Sequence, residues 1–424
     1  MSINLKKYWA VILILLTIVG FVSKALYNYP LTIMAIIGFY RVIVSPQSIW
    51  SDQTLKYFIF LFLCLWIPML LAFPDAVNPS RSAQTVFPYL RFLFAGIFII
   101  HELSKNDECF KILIYGVFFI VTFWCIDASI QFFIGYNLLG FPYRAGEITG
   151  MFYPRNTISH VCAILSPICF YVVSRHSSRS KWAWLSIIPL FFVVLISGRR
   201  AAWVMLALCS FGFIIFLYLS SANKNKTLRL ITIISCVIGV ILTSTIMLNH
   251  PTRDRFETTL GLFSFDYESI NAATAVRLPI WQTAYSAFKE RPINGIGPRG
   301  FRFIYHDYGK RDDIYIISKS NRLNYLFSKN LPPTHPHLLL LEILVETGVI
   351  GLLGFLLLFY FLIKSRRKIK NISYEFVFLI PVFVSLFPFN SHMAFYGSVW
   401  ASMIWVLIAI YFSSLRLALS RHTI

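Results

Sequence analysis

Two adjacent arginines, Arg199 and Arg200, interrupt the apolar stretch "LISGRRAAWVML". Neighbouring guanidiniums repel unless an anion or a carboxylate joins them, and the planar fork of each suits a phosphate. Arg200 also opens an apolar helix, so the positive end of that helix's dipole adds to the local field. The plainer alternative is that both side chains snorkel to lipid headgroups. Arg277, in "AVRLPIWQTAY", is a third such cation, and by spacing alone it reads equally as part of a solvated helix face.

The stretch "PPTHPHLLLLEILVETGVIG" brings a different chemistry. Pro333 and Pro336 stiffen the chain around Thr334 and His335. His337 is expected in the first turn of an apolar run, at a water boundary. Histidine titrates near neutrality and so suits proton transfer; an interfacial histidine with no chemistry is the alternative. Glu342 and Glu346 are spaced i, i+4 and share one face. A fourth stretch, "LLGFPYRAGEITGMFYPRN", mixes Arg144, Glu147, Arg155 and Asn156 with aromatics. That mixture suits sugar and phosphate contacts, and it suits interfacial anchoring equally well.

These groups need elements to hold them. Of 424 residues, 57% are hydrophobic and only 13% charged, about half the charge of a soluble domain. Apolar runs near the ~18-residue spanning threshold recur along most of the chain. An all-α polytopic membrane protein follows, with about twelve spans: 8–25, 30–45, 56–74, 87–102, 110–136, 157–174, 182–198, 200–220, 228–248, 336–363, 374–391 and 397–414. The basic start followed by an apolar run reads as a retained first span, since no small-residue cleavage site follows.

The net charge of +20 could suggest nucleic acid, but most basic residues fall in short loops, where they act as orientation determinants. With Lys6 and Lys7 inside, the loops "SRHSSRSKW", "NKNKTLR" and "KSRRKIK" and a tail bearing Arg416 and Arg421 also fall inside. Both termini are then cytoplasmic. The division is 1–248, spans one to nine; 249–335, an outer cap with short helices; and 336–424, the last three spans. The seven cysteines lie in or beside spans, so no disulfide framework is expected. There is no Walker loop, H-E-x-x-H, paired-cysteine spacing or G-x-S-x-G. No Asp-x-Asp pair lies in an outer loop near the spans, so neither metal nor cofactor is expected and arginines would have to hold a diphosphate.

Three stretches together resemble the bacterial O-antigen ligases and the related polymerase-like membrane glycosyltransferases. "SGRRAAWVML" resembles that family's arginine segment and matches Arg200, with Arg199 beside it. "RLPIWQTAYSAFKERPINGIGPRGF" resembles its R-x-x-x-W helix and following turn, matching Arg277, Trp281, Pro292, Gly295, Gly297 and Phe301. "HPHLLLLEILVETGVIGLLGF" resembles its H-N-x-x-L…E-x-G-x-x-G segment, matching His337, Glu346, Gly348 and Gly351, with Leu338 in place of the usual Asn. The resemblance covers mainly residues 145–360.

It implies a GT-C type membrane glycosyltransferase, inverting and metal-independent, acting at the periplasmic face of the inner membrane. The donor would be undecaprenyl-diphosphate-linked O-antigen and the acceptor a sugar hydroxyl of lipid A–core, giving lipopolysaccharide. On this expectation Arg200, Arg277 and His337 are catalytic. Arg199, Trp281, His335, Glu346, Arg144 and Arg155 are substrate-binding. An O-antigen polymerase using the same donor, a glycan transferase to protein, and a transporter or flippase are the competing readings.

Overall fold

The computed structural model describes the chain apart from residues 1–4, 145–146, 178–179, most of 222–249, 311–312, 318–331, 367–374, 392 and 422–424. The described residues fold almost entirely into helices. Seven of these helices are long and apolar enough to cross a membrane: Gln53–Ala72, Pro79–Leu103, Asp107–Ile134, Ile158–His176, Arg200–Ser220, Leu339–Ser365 and Ser398–Ser420. Four shorter apolar helices, Lys7–Gly20, Asn28–Val44, Trp182–Ile196 and Glu375–Ser385, stand beside them. The protein is therefore a polytopic membrane protein. The span expected at 228–248 falls largely outside the described residues.

Local chemistry sets the helix ends. Asp52 accepts from the backbone of Thr54 and Leu55 and starts Gln53–Ala72. Asn78 accepts from Arg81 N, with Pro79 behind it, at the start of Pro79–Leu103. Asp107–Ile134 stops where Gly135 turns left-handed. Two expected spans come out shorter. The run at 182–198 is 3-10 over Lys181–Ile187 and α-helical only over Ile188–Ile196. The run at 374–391 is helical only over Glu375–Ser385, and its remainder becomes a loop whose carbonyls are used elsewhere.

The helix Ser398–Arg421 is the axis of the bundle, with Trp400, Trp405, Tyr411 and Phe412 all buried. Side chains such as Ile36, Phe119 and Phe133 face outward in large part, as lipid-facing apolar groups do. The two ends of the bundle differ. Ser82, near the start of its helix, donates to the carbonyl of Pro298 in the cap. Glu102 lies about 20 residues on, ~30 Å along the helix and so one hydrocarbon thickness away. There it joins Arg41 and Lys105, and Asp52 pairs with Arg416 at 2.6 Å.

The cap comprises His250–Leu260, Tyr267–Ala273, Leu278–Glu290, Phe301–Tyr308 and Ile314–Ile317. It has a small core of its own, including Ile280, Ala284, Phe301, Ile304 and Tyr305, which Val345 of a spanning helix completes. The turn 292–297 is grafted onto that helix. Ile296 N and Gly297 N donate to the carbonyls of Val345 and Glu346, and Val349 N donates back to Pro292 O. These bonds replace helical ones because Leu339–Arg366 is broken at Gly348, with φ 65 and ψ −162. A Cβ on Gly348 would sit 2.0 Å from Ile293 O, and one on Gly295 would sit 2.6 Å from Val345 O. Only glycine permits both the dihedral and the approach.

Candidate active site

The turn between Ile188–Ile196 and Arg200–Ser220 is built to present cations. Ser197 Oγ donates to Val194 O at 2.8 Å, and Trp203 Nε1 donates to Val194 O and Leu195 O, both at 3.1 Å. Gly198 is left-handed, at φ 61, and a side chain there would strike Arg255. Arg255 enters from the cap helix His250–Leu260 and donates to Ser197 O at 3.0 Å. Arg199 pairs with Glu147 at 3.0 Å. Arg200 donates to the carbonyls of Ala272, at 3.3 Å, and Ala273. Both carbonyls lie at the end of Tyr267–Ala273, where a cation meets the negative end of the helix, and Ala272 O also accepts from Ala275 N at 3.0 Å. Arg200 makes both of its bonds through Nη1, so other donors of the fork remain for a ligand.

Arg277 caps the helix Leu278–Glu290 and follows two strained residues, Ala275 and Val276, both at φ 59. Left-handed alanine and valine persist only where the surroundings hold them. Here Val276 N donates to Asn271 O at 2.7 Å, Tyr315 Oη donates to Val276 O at 3.0 Å, and Leu278 N donates to Asn271 Oδ1 at 3.2 Å. The result is a fixed aim for Arg277.

These residues meet around one cavity of about 800 Å³. Arg199, Arg200, Arg255 and Arg277 line it together with His160 and Trp281. Val204, Leu208, Leu262, Val384 and Phe389 add apolar lining. The guanidiniums are coupled. Burial lowers the pKa of Arg277; Tyr315 opposes that, and Arg200 and Arg199 lower it further. Burial likewise lowers Arg199, against Glu147 and with Arg255. A partly dry pocket of like charges is therefore electrostatically set for a multivalent anion.

His337 is not among the residues that line this cavity, although the chain beside it is. Its neighbour Leu338 lines the wall, and Trp281 Nε1 donates to Pro336 O at 3.1 Å. The expectation that His337 sits in the first helical turn needs correction. The helix begins at Leu339, and His337 precedes it at φ 53. Leu339 N and Leu340 N donate to the carbonyls of Asn390 and Pro388, so loop 386–391 takes up the first donors of the helix. The His335 and His337 rings lie 3.9 Å apart, and Thr334 Oγ1 is 2.9 Å from His335 Nδ1.

The remaining candidates lie elsewhere. Arg144 donates to Tyr153 Oη at 2.9 Å, and Arg155 ties its loop to Phe21 O at 3.0 Å. Neither lines the cavity. Glu346 is buried in the graft, where its Oε2 accepts from Arg299 N at 2.6 Å. Glu342, also buried, accepts from Tyr396 N at 3.3 Å. Two cavity residues escape a reading of the sequence. His160 sits on an apolar helix, and Arg255 is one of several basic residues in a polar one. Their only sequence signal is a charge or imidazole on an element that the fold alone aims inward.

Comparison with known proteins bears on the same residues. Residues 184–356 match the family model described as "O-Antigen ligase". A Rickettsia felis protein named "Putative polysaccharide ligase" is 25% identical over 342 residues, covering 78% of this chain and 75% of its own. A Rickettsia typhi protein, also named "Putative polysaccharide ligase", is 29% identical over 252 residues, 58% of this chain and 55% of that one. An uncharacterized Haemophilus influenzae protein is 24% identical over 346 residues, 79% of this chain and 80% of its own. All four cavity arginines and His337 fall inside the matched stretch, and His160, Arg144 and Arg155 fall before it. Residues 184–356 thus match the O-antigen ligase family model, and the chain is a distant homologue of proteins named "Putative polysaccharide ligase".

Proposed function

We infer that the protein is an O-antigen ligase. It transfers O-polysaccharide from undecaprenyl diphosphate to a sugar hydroxyl of lipid A–core, at the periplasmic face of the inner membrane. The observation that carries this reading is one cavity whose lining combines four arginines with apolar side chains. A polyprenyl diphosphate has that same combination of charged headgroup and apolar tail.

Breaking the sugar–phosphate bond concentrates negative charge on the leaving oxygen. Fixed guanidiniums aimed at that charge lower the barrier, and more strongly where water is excluded. Arg200 and Arg277 hold the diphosphate, with Arg199 and Arg255 as further donors. Val204, Leu208 and Phe389 take the first part of the polyprenyl chain. The acceptor hydroxyl attacks the anomeric carbon on the face opposite the departing phosphate, which inverts that centre. His337 accepts the hydroxyl proton as the bond forms. The arginines supply the positive charge that a divalent metal supplies in other diphosphate chemistry, so the reaction is metal-independent on this reading.

Purified full-length protein is incubated with lipid-linked O-antigen and rough lipopolysaccharide in the presence of chelator. Formation of glycan-capped lipopolysaccharide is the expected result. Extension of the lipid-linked glycan, with no capping of the core, would replace the ligase by a polymerase.

A further inference from the structure

A second concavity lies wholly within the cap, apart from the arginine cavity. It encloses about 400 Å³, within the roughly 300–1,000 Å³ of small-molecule clefts. Its walls include Tyr267, Asn271, Gln282, Ser286, Tyr308 and Lys310. That chemistry differs from the first cavity. It offers phenol rings, carboxamides and hydroxyls with one ammonium and the Asp313 carboxylate, so it lacks the net positive charge for a diphosphate, and Val276 and Pro279 are too little apolar wall for a lipid tail. Closely spaced neutral donors and acceptors beside aromatic faces match a sugar, whose hydroxyls ring its apolar C–H faces.

Part of the lining is itself held by hydrogen bonds. Buried Asp313 accepts from Tyr305 Oη at 2.6 Å and from Tyr315 N at 2.9 Å, and Tyr308 Oη donates to Glu290 at 2.7 Å. Asn271 uses its Oδ1 on Leu278 N, which fixes the amide plane and turns its NH2 to other work. Tyr267, Gln282 and Ser286 are exposed, and among the described residues their side chains make no hydrogen bond within the protein.

The same two helices wall both concavities. Tyr267–Ala273 gives Asn271 to the groove and Ala272 and Ala273 to the cavity. Leu278–Glu290 gives Pro279, Gln282 and Ser286 to the groove and Trp281 to the cavity. Between them, Val276 lines one and Arg277 the other. One helix thickness, ~10 Å, therefore separates the two.

We propose that this groove of the cap is a saccharide-binding site, which holds a glycan at sugars away from the reacting bond. That its ligand is a substrate of the transferase rests on the function proposed above; the sugar binding itself does not. Two sources share the chemistry, the polysaccharide of the donor and the core oligosaccharide of the acceptor.

The test uses full-length protein in lipid nanodiscs and two probes freed of lipid and diphosphate. One is the repeat-unit oligosaccharide cut from the host's own surface polysaccharide, and the other is the core oligosaccharide of a rough strain. Binding is read by calorimetric titration. One of the two should bind the wild type, and should bind Arg277→Ala with unchanged Kd. Gln282→Ala and Tyr267→Ala, both at exposed positions, should weaken it about tenfold, the scale of one lost hydrogen bond or ring contact. Which probe binds names the source. Failure of both probes, or groove variants that bind as wild type does, would overturn the proposal. Glycan binding without transfer in the reconstitution would instead sink the transferase reading and leave the groove standing.

Discussion

Each cavity arginine has a distinct anchor. Arg199 has Glu147, Arg255 has Ser197 O, Arg200 has the end of the Tyr267–Ala273 helix, and Arg277 has the strained turn before it. Such anchoring fixes the forks before a ligand arrives, which is what makes electrostatic stabilisation effective. Arg277→Ala and Arg200→Ala should therefore each lower transfer at least about a hundredfold, the cost of losing one preorganised donor. The Lys variants should remain impaired, since an ammonium cannot reproduce the fork. His337→Ala should be comparably inactive with normal expression, and full capping by that variant in cells would remove it as the proton acceptor. Arg199, Arg200 and Arg277 were legible in the sequence because cations beside apolar runs or on a short amphipathic helix are conspicuous. His160 was not, since a lone histidine on an apolar helix carries no mark of the cavity it faces. Glu346 stood out as a buried charge, but its carboxylate holds Arg299 N in the graft.

At the level of elements, the graft between turn 292–297 and the broken helix explains why two glycine-rich stretches recur together in the sequence. Gly295 of "INGIGPRG" is needed because the backbone of 345–347 approaches it, and Gly348 of "ETGVIG" because that of Ile293 and Asn294 does, whereas Gly297 packs against Ala76 and Ser82. Periodicity reads helices well and cannot see such a joint, because the pairing is between segments some fifty residues apart. It also reads the apolar runs at 182–198 and 374–391 as whole spans, where Pro189 restarts one helix and loop carbonyls end the other. Gly348→Ala should lower the thermal unfolding midpoint in detergent, through ~1–3 kcal/mol of backbone strain and a clash with Ile293 O. Gly135→Ala is the control. Its φ is 93, but a Cβ there meets nothing within 4 Å, so it should lose only the strain part. Equal losses at the two sites would mean that the graft contributes little.

The whole molecule has one end rich in ion pairs and another that carries the cap. On the positive-inside rule, we propose that the lysines and arginines of the short loops hold the first of these in the cytoplasm. The described cysteines are all buried, so single introduced thiols report cleanly once Cys236 is replaced by serine. A cysteine at Tyr267 should react with a membrane-impermeant maleimide added to outer-permeabilised cells. One at Lys105 should react only after the inner membrane is opened. Labelling in the opposite order would invert the topology and put the cavity on the wrong side for a periplasmic acceptor.

On the proposed reaction the four arginines grip phosphate groups, and the departing lipid keeps both of its own. Nothing in that cation cluster distinguishes a spent carrier from a loaded one, apart from the missing glycan. Turnover then depends on clearing the carrier. The enzyme works only as fast as recycling removes undecaprenyl diphosphate from the bilayer, and a backlog of it should stall the cell's surface coat at this step.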